Sequence, residues 1–208
     1  MKKNYEMDMC SGPILGKLLT FTIPLIFSGI LQLLFNAADV IVVGRFAGSQ
    51  SLAAVGSTTA LINLMINIFI GLSVGVNVIV ARYYGAKREK DVQDTIHTAM
   101  ALSIVSGLFL IVMGQLLSRP MLELMGTPDD VIDKSTIYMR IIFIGMPANM
   151  IYNFGSAILR AVGDTKRPLY FLTAAGVINV VLNLFFVIMF RMDVAGVALA
   201  TAISQAIS

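Results

Sequence analysis

Residues 46–81, FAGSQSLAAVGSTTALINLMINIFIGLSVGVNVIVA, contain no charged side chain. At about 1.5 Å of rise per residue, a helix through this stretch is longer than the roughly 30 Å hydrocarbon layer of a bilayer requires. The rest of the chain has the same character, because 57% of its 208 residues are hydrophobic and only 13% are charged. This composition predicts a polytopic membrane protein and excludes an ordinary soluble domain.

The same criterion predicts six transmembrane helices, so the expected fold class is an all-α membrane helix bundle. The predicted helices cover residues 14–44, 53–81, 96–118, 136–159, 169–190 and 194–208. The sixth has roughly 15 residues, too few to cross a bilayer unless the chain continues, so we expect a truncated protein. Pro24 and Pro147 predict kinks in the first and fourth helices.

The distribution of basic residues predicts how the helices are oriented. Ten lysine and arginine residues fall on the side of the N-terminus and five on the other side. The positive-inside rule then places the N-terminus in the cytoplasm, and the first, third and fifth helices run outward. We expect a multi-pass protein of the plasma membrane without a nucleic-acid partner, and Cys10 is then in a reducing compartment.

The composition also argues against several kinds of chemistry. One cysteine and one histidine, His97, leave no ligand set for a structural metal. The stretch GPILGKL at 12–18 does not match the phosphate-loop pattern, and no serine–histidine pair lies in the predicted spans. The prediction is therefore a protein without a cofactor and without enzymatic activity.

One acidic residue, Asp39, lies well inside a predicted span, about five residues from the outer end of the first helix. Inserting a carboxylate into a membrane costs on the order of 2.5 to 3.5 kcal/mol, so such a residue is a candidate for function. Ser28, Gln32, Asn36 and Asp39 are spaced four, four and three residues apart, which places them on one helix face. This polar face indicates a cavity, and the alternative is a carboxylate that reaches the outer interface.

Polar residues of the fifth and sixth helices fall at a depth similar to that of Asp39. Asn179 and Asn183 are one helical turn apart, and Thr201 lies about seven residues from the outer start of the sixth helix. These side chains meet at one level if the three helices are neighbours. The alternative is that the asparagines only form hydrogen bonds between helices.

The second helix carries a further asparagine pair, Asn63 and Asn67, which are candidates for lining the same cavity. The helix also contains Gly71-x-x-x-Gly75, a spacing of small residues that allows close helix packing. Packing is the favoured interpretation of this segment.

Several segments carry a family resemblance. Residues 158–168, ILRAVGDTKRP, resemble the LRGxGDTxxP segment of the multidrug and toxin extrusion (MATE) family, and similar segments are NAAD at 36–39, LAAVG at 52–56 and GVALAT at 196–201. The resemblance covers essentially the whole chain. It implies the N-terminal six-helix lobe of a twelve-helix transporter, whose C-terminal lobe is absent here and is an expected partner.

The resemblance also implies a function. Members of the family export organic cations and amphipathic drugs in exchange for sodium ions or protons, and an acid in the first helix is central to coupling. The positions of this sequence that match the family's ion site are Asp39, Asn179, Asn183 and Thr201, with Asn153 as a looser match. Two positions depart from the pattern, since some members have a second carboxylate where Asn183 stands and a tyrosine where Phe35 stands. The coupling ion, sodium or proton, is left open.

Two other functions are compatible with a bundle of this kind. A lipid-linked saccharide flippase of a related fold would line its cavity with several basic residues, whereas the predicted spans offer only Arg140. A membrane assembly subunit would use the polar residues only to hold helices together. In that case replacement of Asp39 would change stability and leave flux unaffected.

Overall fold

The computed structural model describes residues 14–208. Cys10 and the first two lysines of the predicted topology lie outside the described residues. Within 14–208 the chain forms helices and no strand. The predicted all-α class is confirmed.

Seven α-helices make up the described chain. They are α1 Ile14–Val42, α2 Ser49–Gly85, α3 Glu89–Leu124, α4 Asp129–Ile144, α5 Met146–Ala161, α6 Lys166–Leu184 and α7 Asp193–Ile207. Two of them, α1 and α6, continue into short π-helical turns, Val43–Ala47 and Phe185–Met189.

Four of these helices are long and apolar enough to cross a membrane: α1, α2, α3 and α6, with the π-helical turns included. The bent pair α4–α5 passes the same test when it is taken as one span, and α7 is a shorter apolar helix of 15 residues. Both α2 and α3 extend beyond the predicted ranges. At the start of α3, Glu89 and Asp91 favour an earlier helix start because carboxylates stabilise a helix N-terminus.

The fourth predicted span, 136–159, in which Pro147 predicts a kink, is divided into two helices, α4 and α5. The chain breaks at Gly145, and α4 and α5 meet there with a bend of 49°. Pro147 has no N–H group, and its ring would collide with the carbonyl group of Phe143 in a continuous helix. Packing accommodates the break, because Gly107 of α3 lies so close that a Cβ atom there would be 2.4 Å from the Cα atom of Pro147. By contrast, α1 passes through Pro24 without a break.

The main hydrophobic core lies where α2 and α3 pack against α4 and α5. Its largest fully buried side chains include Phe143, Met150 and Phe154. In this core α3 comes close to α4 at Gly114, where a Cβ atom would lie 2.2 Å from the side chain of Phe143. The second side of the bundle is formed by α1, α6 and α7, and α6 is the helix that packs extensively against α1.

The predicted role of Gly71 and Gly75 in packing is wrong for the described part of the chain. A Cβ atom at either position would meet open space, so no described helix approaches α2 there. The close polar contact of α2 lies further along the helix, where the side-chain amide of Asn77 donates to the carbonyl oxygen of Ala157 in α5 at 2.7 Å. This hydrogen bond joins two helices in the way that intramembrane asparagines often do.

Candidate functional site

A polar cleft of about 130 Å³ lies between α1, α5, α6 and α7. Its wall contains six side-chain amides, from Gln32, Asn36, Asn149, Asn153, Asn179 and Gln205. Asp39 supplies the one charged side chain among the residues that line it, and no lysine, arginine or histidine is present in this set. The cleft therefore offers many neutral hydrogen-bonding groups and a single negative charge.

Asp39 points from α1 towards α6, where it contacts Asn183. The side chain of Asn183 is fully buried, and its amide nitrogen donates a hydrogen bond to Oδ1 of Asp39. A hydrogen bond to a charged acceptor is shorter and stronger than one between neutral groups. The contact joins α1 to α6 at the depth where the carboxylate is held.

The polar chain continues from Asn183 into α7. The Asn183 amide nitrogen also donates to Oδ1 of Asn179 at 3.2 Å, and the Asn179 amide nitrogen donates to the hydroxyl of Thr201 at 3.2 Å. Thr201 in turn donates to the carbonyl oxygen of Val197 at 2.9 Å. The structure thus brings together Asp39, Asn179, Asn183 and Thr201, which come from three helices.

The helical spacing of each segment explains this arrangement. Asn179 and Asn183 are one turn apart in α6 and so share a face. The same face carries Gly176, and the ring of Phe35 occupies the space above this glycine. The absence of a side chain at Gly176 allows α1 to lie close to α6, which brings Asp39 within reach of Asn183.

One acceptor in this network has no partner. Oδ1 of Asn183 is buried and has no hydrogen bond in the structure. A buried unsatisfied acceptor costs free energy, on the order of 1 to 3 kcal/mol, and in native proteins such a group calls for a specific explanation. A cation or a proton donor beside Asp39 would satisfy this oxygen.

The remaining predicted residues divide into two groups. Asn153, Gln32 and Asn36 all line the cleft, and the amide of Asn153 donates to both the carbonyl and the side-chain oxygens of Asn149, at 2.8 and 2.9 Å. The prediction that Asn63 and Asn67 line the cavity is wrong for this cleft. Their side chains are exposed on α2, and neither residue lines the cleft.

The structure adds cleft residues that the sequence analysis missed. Asn149 precedes Asn153 by one helical turn, and Gln205 follows Thr201 by one turn, so the same four-residue spacing would have indicated both. Tyr152 also lines the cleft, and its hydroxyl donates to the carbonyl oxygen of Pro168 at 3.1 Å. No spacing rule indicates Tyr152, because its contact depends on how α5 meets the start of α6.

Comparison with known proteins identifies the family. The MatE family model matches residues 24–185, which is most of the chain. The chain belongs to the MatE family. The MATE resemblance predicted from the sequence is thereby confirmed.

Curated relatives match most of this chain but less than half of their own length. The "Probable multidrug resistance protein YoeA" of Bacillus subtilis (strain 168) is 35% identical over 188 residues, which are 88% of this chain and 41% of that protein. The "FAD transporter" of Shewanella oneidensis is 28% identical over 201 residues, which are 94% of this chain and 44% of that protein. The chain thus spans less than half the length of these relatives.

Solved structures of MATE proteins share the fold. A crystal structure of MATE in the bent conformation matches with a TM-score of 0.86 and 27% identity, over 92% of this chain and 42% of that one. An outward-facing multidrug resistance MATE family transporter matches with a TM-score of 0.85 at 27% identity, over 91% and 42%. The described bundle therefore has the fold of part of a MATE transporter.

In this MatE chain, the segment that carries the sequence resemblance forms the turn from α5 to α6. Asp164 is almost completely buried, and its Oδ1 accepts hydrogen bonds from the backbone N–H groups of Lys166 and Arg167, both at 3.1 Å. Gly163 has a φ of +86°, a conformation that favours glycine. The aspartate and the glycine thus fix the start of α6, the helix that carries Asn179 and Asn183.

Proposed function

We propose that the chain is the N-terminal lobe of a twelve-helix secondary transporter, which exports organic cations or amphipathic drugs in exchange for sodium ions or protons. Family membership supports efflux transport, and YoeA among the relatives has multidrug resistance in its name. The share of the relatives that this chain covers agrees with half of such a transporter. Its expected location is the plasma membrane, with the basic turns between α2 and α3 and between α5 and α6 in the cytoplasm.

The observation that carries the proposal is the position of Asp39. Its carboxylate lies in an apolar bundle beside a buried amide oxygen without a partner, in a cleft with no basic lining residue. Placing a charge in such surroundings is costly, so a cation or proton that neutralises Asp39 stabilises the site. An anionic substrate would find no cationic group in this lining. The same point argues against a flippase that holds a pyrophosphate.

Ion binding at Asp39 provides a mechanism for exchange. The ion and a cationic drug both favour the negative carboxylate, so binding of one lowers the affinity for the other. Neutralised and charged forms of the site also favour different packing of α1 against α6, so the ion changes the balance between inward-open and outward-open states. Rocking of two lobes around the site then carries the drug outward.

The coupling ion is the finer part of the proposal. A sodium ion needs several oxygen ligands, and Asp39 has the side-chain oxygens of Asn179, Asn183 and Thr201 close by. A proton needs only Asp39. We favour sodium, because the unpartnered Asn183 oxygen is available as a further oxygen ligand for a cation.

Replacement of the acid tests the proposed function. In the complete transporter, Asp39→Asn keeps the size of the side chain and removes its charge, so ion-driven drug efflux should be lost while the amount of protein in the membrane stays unchanged. The matched control is Asp130→Asn, which removes a carboxylate from an exposed position in the first turn of α4 and should leave efflux unchanged. Wild-type drug efflux by well-expressed Asp39→Asn protein would refute the role of Asp39.

A further inference from the structure

We infer that the contact between Phe35 and Gly176 sets the register of α1 on α6, and that it thereby positions Asp39 against Asn183. This inference rests on the proposed role of Asp39 for its functional consequence. The contact itself lies between α1 and α6 and does not depend on that role. It makes Gly176 a positioning residue for the ion site, although the glycine has no side chain to bind an ion.

The first observation is the peripheral location of α1. Over its 29 residues only Pro24 and Val42 are buried, and α6 is the described helix that packs extensively against it. Among the described helices, the packing of this one pair therefore determines how far α1 is shifted along α6. A close contact between the two helices directly affects the position of Asp39.

The second observation is the closeness of the contact. A Cβ atom on Gly176 would lie 1.9 to 2.2 Å from three ring carbons of Phe35, whereas an ordinary van der Waals contact begins at 3.4 Å. The ring is therefore packed directly on the backbone of α6. Any side chain at position 176 must displace the ring or α1 by roughly 1.5 Å, the difference between 1.9 and 3.4 Å.

The third observation is that the Phe35–Gly176 contact and the Asp39–Asn183 hydrogen bond lie between the same face of α1 and the same face of α6. Phe35 precedes Asp39 by four residues in α1, and Gly176 precedes Asn183 by seven residues in α6, so each pair lies on one side of its helix. The 2.7–3.2 Å range of N–H···O distances is about 0.5 Å wide, so a shift of α1 by about 1.5 Å is larger than this width. Movement of α1 away from Gly176 therefore separates the amide of Asn183 from the carboxylate of Asp39.

The intrinsic helix propensity of alanine would stabilise α6 in Gly176→Ala, whereas the collision with Phe35 would disturb the site. Alanine is more favourable than glycine in the interior of a helix, because it restricts the unfolded backbone more. A loss of function in Gly176→Ala would therefore come from the contact with Phe35 and not from a weaker α6.

The experiment measures how fast dicyclohexylcarbodiimide modifies Asp39 in the complete transporter, with mass spectrometry of the labelled peptide. Because the Asn183 amide covers Oδ1 of Asp39, loss of their contact should speed the modification. We expect Gly176→Ala to increase the rate at least threefold. Gly155→Ala is the matched control, since a Cβ atom there meets open space, and it should leave the rate unchanged.

Two further variants separate positioning from general disruption. The double variant Phe35→Ala/Gly176→Ala removes the collision and should return the rate to within about twofold of that of Phe35→Ala alone. Combining Gly176→Ala with Asn183→Leu should add little to the effect of Asn183→Leu, because both substitutions remove the same contact. A wild-type rate in Gly176→Ala, additive effects in this cycle, or failure of the double variant to recover would each overturn the inference.

A sodium titration of the same labelling reaction keeps this inference apart from the proposed function. If sodium chloride at fixed pH fails to protect wild-type Asp39, sodium coupling is wrong. The labelling rates without sodium still decide the role of Gly176. If sodium protects the wild type, Gly176→Ala should need at least tenfold more sodium for half protection, because displacement of α1 moves Asp39 away from the oxygen ligands of α6 and α7.

Discussion

Asn183→Leu is the substitution that most directly distinguishes sodium from proton coupling. Leucine has a similar size and fits the fully buried position, but it lacks both polar atoms of the amide. The substitution removes the donor to Asp39 and the unpartnered oxygen, which is the ligand proposed for sodium. A proton on Asp39 requires neither group.

The expected magnitude follows from these two atoms. A hydrogen bond to a charged group contributes about 1.5–3 kcal/mol, and each 1.4 kcal/mol corresponds to a tenfold change in affinity. Loss of the Asn183 oxygen, which would bind the charged ion, should therefore weaken sodium binding roughly 10- to 150-fold.

Binding of radioactive sodium to the purified complete transporter measures the affinity, and proteoliposomes with imposed gradients measure transport. We expect Asn183→Leu to lose dye export driven by a sodium gradient at fixed pH. The control Asn77→Leu removes the hydrogen bond to Ala157 between α2 and α5, away from the cleft, and should bind sodium as the wild type does. Sodium affinity unchanged in Asn183→Leu would refute the assignment of Asn183 as a ligand, and export driven only by a pH gradient in sodium-free buffer would establish protons as the coupling ion.

Two further predictions concern the bundle itself. Gly114→Ala should destabilise the protein by about 1–3 kcal/mol, because its Cβ atom would collide with Phe143. A lower midpoint in thermal unfolding would show this. An unchanged midpoint would mean that α3 and α4 move apart without cost. Lys134→Gln removes a partly exposed ion pair to Asp193 at 3.2 Å and should cost less than about 1 kcal/mol, with a smaller effect at high salt. A larger, salt-independent loss would indicate that the lysine also orders the start of α7.

Some properties of the site are encoded within single helices. The spacing of Gln32, Asn36 and Asp39 specifies one face of α1, and the pair Asn179 and Asn183 specifies one face of α6, because 3.6 residues complete each turn. Distance from the end of an apolar run specifies the depth of each group in the membrane. The sequence by itself therefore determined the helical class, the membrane location and the residues that share a level.

Other properties depend on contacts between helices, which periodicity does not contain. Asn63 and Asn67 have the same four-residue spacing as Asn179 and Asn183, yet they are exposed on α2 because a different face of that helix is buried. The fourth span breaks at Gly145 rather than merely bending at Pro147.

The tertiary structure also decided which polar faces meet. Asp39 reaches Asn183 because α1 lies on α6, and α1 lies that close because Gly176 leaves space for the ring of Phe35. A lone glycine in an apolar helix carries no signal of its own, since its role depends on the side chain that another helix places above it. Helix faces and depths are local properties of the sequence, whereas the choice of neighbours follows from packing across the whole bundle.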